Sequence, residues 1–303
     1  MSYEKNIPHL DELFAPPVGL KVVAKLDGQE LFGSEKLKLA FVEAISKSGR
    51  AKGSANKIKS LVKKRKIVPC FFEKSIRQFI MRKIFSPKSS RTVVAIFDPA
   101  KTKKIYVLMD NNVNFFTYAA NSRLALYTIH ELIHMFADKK PSSFLNRFKP
   151  ELISYYKAVW KTIFSLDEKK INDKEIEKII KFLFRKIELN PKQVSNSDLT
   201  QYYKLLDSAF SEVTTLQKEQ FIKRLRTYIV AIKIFIINFR VFYKSISKFM
   251  SVIGPLYSGY KQAFNIKNIN VLCVQELIYP SEVISICSEH GFESKVNKSI
   301  KEI

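Results

Sequence analysis

His130, Glu131 and His134 are the residues of this chain whose types and spacing point to chemistry. Four positions apart on a helix, two imidazoles project from one face and can share a metal ion. Zinc accepts imidazole nitrogen readily and takes four ligands, in catalytic sites leaving one for water. A carboxylate one position after the first histidine can reach that water, take its proton and return it to a leaving amine. The chain has only four histidines, His9, His130, His134 and His290. At that frequency a chance His-Glu-x-x-His is expected in about one such chain in a few hundred.

The neighbours of the pentapeptide sharpen it. From Asn121 onward Leu124, Leu126, Ile129, Leu132, Ile133 and Phe136 put apolar side chains almost all round a helix ending near Asp138-Lys139-Lys140-Pro141. That pattern marks a buried helix. Burying two imidazoles and a carboxylate without partners costs on the order of several kcal/mol, which a bound cation offsets. The competing structural reading is a pair of hydrogen-bonded core histidines.

Strands precede this helix. Thr92–Phe97 and Lys104–Met109 flank the turn Asp98-Pro99-Ala100-Lys101-Thr102, and 111–118 offers a third, shorter strand. Further upstream, Lys21–Lys25 and Gln29–Phe32 flank Asp27-Gly28, a hairpin signal. Ser34 then offers an N-cap to a helix with Leu37, Phe41, Ala44 and Ile45 on one face. A helix is expected over 73–85. Downstream, helices are expected over 143–164, 173–189, 198–213 and 216–252, with no strand between them.

The formal net charge is +24, from 52 Lys+Arg against 28 Asp+Glu. A field of that sign favours nucleic acid or another polyanion. The densest run, Lys47–Lys66, holds no acid and no aromatic, so it suits phosphate contacts rather than base stacking. Its bland alternative is a solvated linker, and A/T-rich codons would by themselves supply surplus lysine. Three cysteines, Cys70, Cys273 and Cys287, make no disulfide framework. The N-terminus lacks the basic start and apolar stretch of a secretion signal. The greasiest stretch, 228–257, is interrupted by Lys233, Arg240, Lys244 and Lys248, so no transmembrane segment is expected. A cytoplasmic location, or one within a virus particle, fits these features.

Strands followed by a buried His-Glu-x-x-His helix resemble the zincin metallopeptidases, and His130–His134 also match the motif as it stands in clostridial neurotoxin proteases. The likeness covers about residues 91–138 as architecture and five residues as motif. It implies zinc as cofactor, Glu131 as general base, and a third protein ligand that defines the branch. The metzincin branch needs glycine at position 137 and histidine at position 140; the chain has Ala137 and Lys140. Asp138 would suit an aspartate-type site but reads better as a helix-end residue. A glutamate ligand of the gluzincin kind fits best. Glu282 follows Pro280-Ser281 and starts a Glu-x-x-Ser-x-x-x-Glu spacing similar to that of the thimet-oligopeptidase group, although much farther from His134 than there. Its sequence neighbours include no cation, so its charge is expensive to bury unless something positive binds it. Glu151 and Glu276 are the alternatives, Glu151 having Lys149 and Lys157 nearby as surface partners. Tyr257, Tyr260 and Tyr279 are candidate oxyanion donors, with His290 a further one. The resemblance also implies that Lys104–Met109 serves as an edge strand that pairs with extended substrate.

The expectation is therefore an α+β, mostly helical protein. Residues 1–90 form a basic N-terminal region, and 91–303 a zincin-like metallopeptidase region with a helical insertion over about 166–265. The activity expected is peptide-bond hydrolysis by metal-activated water, with His130, His134 and Glu282 on zinc and a protein or peptide as substrate. The alternative is a catalytically inactive zincin-like structural protein of a nucleoprotein or virus particle, binding nucleic acid through its basic surface. An intact His-Glu-x-x-His favours the first.

Overall fold

The computed structural model describes residues 20–26, 29–72, 93–98, 102–109, 118–164, 166, 171–190, 193–219, 222–223, 279–287 and 293–303. The expected helices over 73–85 and 216–252 fall wholly or largely outside these residues, as does the strand expected over 111–118.

The Asp27-Gly28 signal is flanked by strands β1 (Lys21–Leu26) and β2 (Gln29–Gly33), which pair antiparallel with Leu26 opposite Gln29. Ser34 then caps α1 (Glu35–Lys47), its Oγ accepting the Leu37 N–H at 3.1 Å. Leu37, Phe41, Ala44 and Ile45 are the buried face, as their spacing predicts. In α2 (Ala55–Lys63) the buried positions are Ile58, Leu61 and Val62. Its end closes as a Schellman motif: Lys66 N–H donates to Leu61 O at 2.8 Å and Arg65 N–H to Val62 O at 3.0 Å. That closure needs a left-handed residue, usually glycine. Here Arg65 takes it at φ 54°, against a cost of about 1–2 kcal/mol for an L side chain.

Strand β3 (Ile67–Phe72) has no counterpart in the sequence reading. It contains Pro69, which argues against a central strand. The topology accommodates it. β3 runs parallel to β5 (Lys104–Met109) from Ile67 to Phe71, while β2 pairs with it only at Phe71 and Phe72. Strand β4 (Val93–Asp98) lies antiparallel to β5, giving the order β1-β2-β3-β5-β4. Lys104–Met109 is thus an interior strand with neighbours on both sides and cannot accept a substrate strand. Among the described residues the edge beside it is β4. Ile105 to Met109 are all buried, as a strand covered on both faces must be.

Helix α3 (Tyr118–Lys139) carries the His-Glu-x-x-His sequence and packs on β4, α1 and the last helix, α8 (Glu293–Glu302). Leu124, Leu132, Ile133, Met135 and Phe136 of α3 are fully buried. The turn between β4 and β5 is tied by Asp98, whose Oδ2 accepts Thr102 N–H at 3.0 Å and Thr102 Oγ1 at 2.9 Å. These elements belong to the first of two compact units, Met1–Lys139 with Ser288–Ile303.

The second unit, Lys140–Cys287, has only helices among its described elements. They are α4 (Pro141–Phe164), α5 (Asp173–Phe182), α6 (Asn196–Ala209) and α7 (Pro280–Cys287). Its core is aromatic: Phe144 stacks on Phe184, Trp160 on Phe164, and Phe182 on Tyr202. A π-helical turn, Leu183–Glu188, continues α5. Ser195 caps α6 in a capping box with Asp198. The whole is an α+β protein, mostly helical, with one small mixed sheet. No helix among the described residues is long and apolar enough to cross a membrane.

Candidate metal centre

The i, i+4 spacing on α3 brings two imidazoles together. His130 Nε2 and His134 Nε2 are 3.2 Å apart, with ring centroids at 5.0 Å and ring planes at 61°. Both residues are half-buried, and Ile129, Leu132, Ile133 and Met135 beside them are buried. Two lone pairs facing each other at that distance repel unless a proton or a cation lies between them. Zinc held by two nitrogens at about 2.0–2.1 Å in a tetrahedron puts those nitrogens about 3.3 Å apart, so this edge fits a zinc site.

Glu131 points from the same helix to the sheet. Its Oε2 accepts the backbone N–H of Phe97 in β4 at 2.7 Å. That N–H turns away from β5, so Phe97 and Ile105 form a pair without ladder bonds at that N–H. The carboxylate is therefore oriented by the strand that borders the helix. No residue-type signal could have revealed this contact, because the donor is main chain.

Asp138, a turn beyond His134, is held elsewhere. Lys103 reaches both of its oxygens, at 2.7 and 2.8 Å. Lys103 itself sits at φ 53°, in the left-handed region, just before β5. Asp138 thus ends the helix in a two-oxygen ion pair, as expected for a helix-end residue.

In the second unit Glu282 lies in the first turn of α7 and is 9% exposed, flanked by buried Ser281, Val283, Ile284 and Ser285. The helix dipole favours a carboxylate there. The helix start is gripped by Glu188, from the π-helical turn: one oxygen accepts Ser281 N–H at 3.1 Å and the other accepts Ser281 Oγ. Glu282 N–H donates to Tyr279 O at 3.0 Å. Glu188 was missed in the sequence, where it looks like the tail of a solvated helix. The offset that turns it inward comes from the wider π turn.

Among the described residues, one ligand atom from each of His130, His134 and Glu282 lies within 4.8 Å of the others. Glu151, on α4, is not in this group. The lysines expected to pair with it have other partners: Lys149 pairs with Glu177 at 2.5 Å and Lys157 with Asp173 at 2.8 Å. Tyr279, half-buried, precedes α7. Glu276, Tyr257, Tyr260, His9 and His290 lie outside the described residues. Cys70, buried in β3, has its thiol pushed far up by burial, which makes it a neutral core residue rather than a ligand or nucleophile. No family model, no curated protein and no solved structure matches the chain.

Proposed function

We propose that the protein is a zinc peptidase in which His130, His134 and Glu282 hold the metal and Glu131 is the general base. The observation that carries this reading is the 3.2 Å separation of the two imidazole Nε2 atoms, the length of a tetrahedral zinc edge. The grouping of a Glu282 oxygen with them supports a two-histidine, one-carboxylate donor set, which leaves a fourth position open. When bound, zinc lowers the pKa of water and polarises a carbonyl oxygen. Glu131 takes the proton from the attacking water on its carboxylate and passes it to the departing amine nitrogen. The Phe97 N–H keeps that carboxylate in one orientation through both transfers. In this reading β4, the sheet edge beside α3 among the described residues, would be the strand that pairs with an extended peptide, at positions before the Phe97 N–H that Glu131 accepts. Tyr279 remains the candidate oxyanion donor within the described residues.

The test is Glu131→Gln in the full-length chain. Peptide cleavage should fall by about 100- to 10,000-fold while zinc content stays at the wild-type level. Equal cleavage by the variant would reject Glu131 as the base. The inactive structural alternative predicts that neither protein cleaves a peptide library.

A further inference from the structure

Six cations of the first unit, Lys57, Lys63, Lys64, Arg65, Lys66 and Lys139, come from α2, its closing turn and the last turn of α3. None of them forms an ion pair with a carboxylate among the described residues. Asp138, next to Lys139, is engaged by Lys103. The Lys139 ammonium is held below the ordinary lysine range, first by its own partial burial and then by repulsion from Lys66, Lys57 and Lys64, with Asp138 acting the other way.

The frame beneath these charges is fixed. Ser54 Oγ donates to Asn297 Oδ1, which joins the start of α2 to α8. Gly53 lets the Asn297 amide approach closely, and a Cβ there would force that side chain to shift. Lys57 Nζ donates to Lys301 O at 3.2 Å, and Lys66 O accepts the Ile105 N–H at 2.8 Å, tying the closing turn to β5. Cations at helix C-termini ordinarily complement the helix dipole. That does not account for a partly buried lysine set against three others, nor for an arginine at the left-handed position that glycine takes without strain. A cluster that repels itself and spends backbone strain on one of its members is matched by a polyanion.

We propose that this surface binds duplex nucleic acid through the phosphate backbone, without reading sequence. The apolar side of α2 is buried in the core, so the helix has nothing to insert into a lipid surface. No aromatic residue lies between positions 47 and 66, so single-strand base stacking is not provided either. Regularly spaced phosphates need only a rigid array of cations. This binding is independent of the peptidase reading.

The test is fluorescence anisotropy of a labelled 20-base-pair DNA duplex of random sequence with the full-length protein, titrated with KCl. Log affinity should fall linearly with log salt, with a slope of about −4 or steeper. The triple variant Lys64→Gln/Lys66→Gln/Lys139→Gln should bind at least about 30-fold more weakly at 0.1 M salt. Arg65→Gly should lose several-fold in affinity without a lower melting temperature, because it removes the charge and the strain together. A control of equal charge loss at dispersed exposed sites, Lys36→Gln/Lys174→Gln/Lys204→Gln, should bind within about 3-fold of wild type. If the control and the cluster variant weaken binding equally, the patch is no site and general charge is responsible. Tighter binding to phosphatidylserine vesicles than to the duplex would also overturn the proposal.

Discussion

His130 Nε2 and His134 Nε2 face each other across 3.2 Å on one side of α3. If a shared cation sets that distance, either imidazole alone cannot hold it. His134→Ala should drop zinc from about one per chain to a trace, as measured by elemental analysis after dialysis. Zinc at a thousandfold excess over its dissociation constant should stabilise the wild type by about 4 kcal/mol and leave the variant's melting temperature unmoved. A variant that keeps zinc and its thermal shift would show that the pair is a core hydrogen bond.

Glu282 and Glu151 make opposite predictions. Glu282→Gln should weaken zinc binding by about 10- to 100-fold or more, and Glu151→Gln should leave it unchanged. Glu188→Gln, acting through Ser281 at the start of α7, should weaken zinc by up to about 10-fold with little change in melting temperature. Competition with a chromophoric chelator measures all three. The reverse order would move the third ligand to α4.

In the proposed mechanism Phe97 positions the base Glu131 through its main-chain N–H. Phe97→Pro deletes the N–H that holds Glu131 and, at a sheet edge, removes no bond to β5. The expected result is a kcat lower by about 10- to 100-fold with KM and zinc content retained, and a melting temperature showing that the sheet is intact. Phe97→Ala keeps the N–H and should retain most of the activity. Equal losses in both variants would assign the effect to the side chain.

How much of this was legible depends on where the determining groups lie. Helix α3 announces itself because two imidazoles interrupt an apolar surface that runs all round it. Asp27-Gly28 and Ser34 mark a hairpin and a helix start by turn and capping chemistry that acts over three or four residues. β3 was hidden by Pro69, whose missing N–H matters only if β2 pairs with it, and that register is a tertiary fact. The same strand overturned the edge assignment of Lys104–Met109: inserting β3 beside β5 left β4 at the sheet end. In retrospect the unbroken apolar run Ile105–Met109 signals an interior strand. α8 was hidden by polarity, since its two apolar residues, Val296 and Ile300, one turn apart, stand among eight polar ones. The partners of Glu131 and of Ser281 were out of reach, being a main-chain N–H and a side chain turned inward by a π turn.

Cys70 tests the core of the first unit. Burial keeps its thiol neutral, and the thiolate is the form that reacts. At pH 8 the folded protein should resist iodoacetamide at Cys70, and denaturant should make it react at the rate of a free thiol. Peptide mapping by mass spectrometry locates the label. Rapid labelling of the folded chain would contradict a buried β3.

Glu177 tests the second unit through pH. Hydrogen bonds from Lys149 and then Lys181 hold its carboxyl below the usual carboxylate range. A depressed folded-state value means that its contribution is complete above the unfolded value, near 4.3, and is lost as pH falls through the folded one. Stability of the wild type should therefore decline more steeply below about pH 4 than that of Glu177→Gln, with the two converging in acid. Parallel curves across that window would show that the ion pairs contribute nothing.

The most direct measurement is zinc K-edge X-ray absorption on the purified full-length protein. The expected result is about one zinc per chain with two imidazoles and oxygen donors at about 2.0–2.1 Å, and loss of the imidazole scattering in His130→Ala. A protein that takes up no stoichiometric zinc, or holds it through sulfur, would rule out a metal shared by His130 and His134.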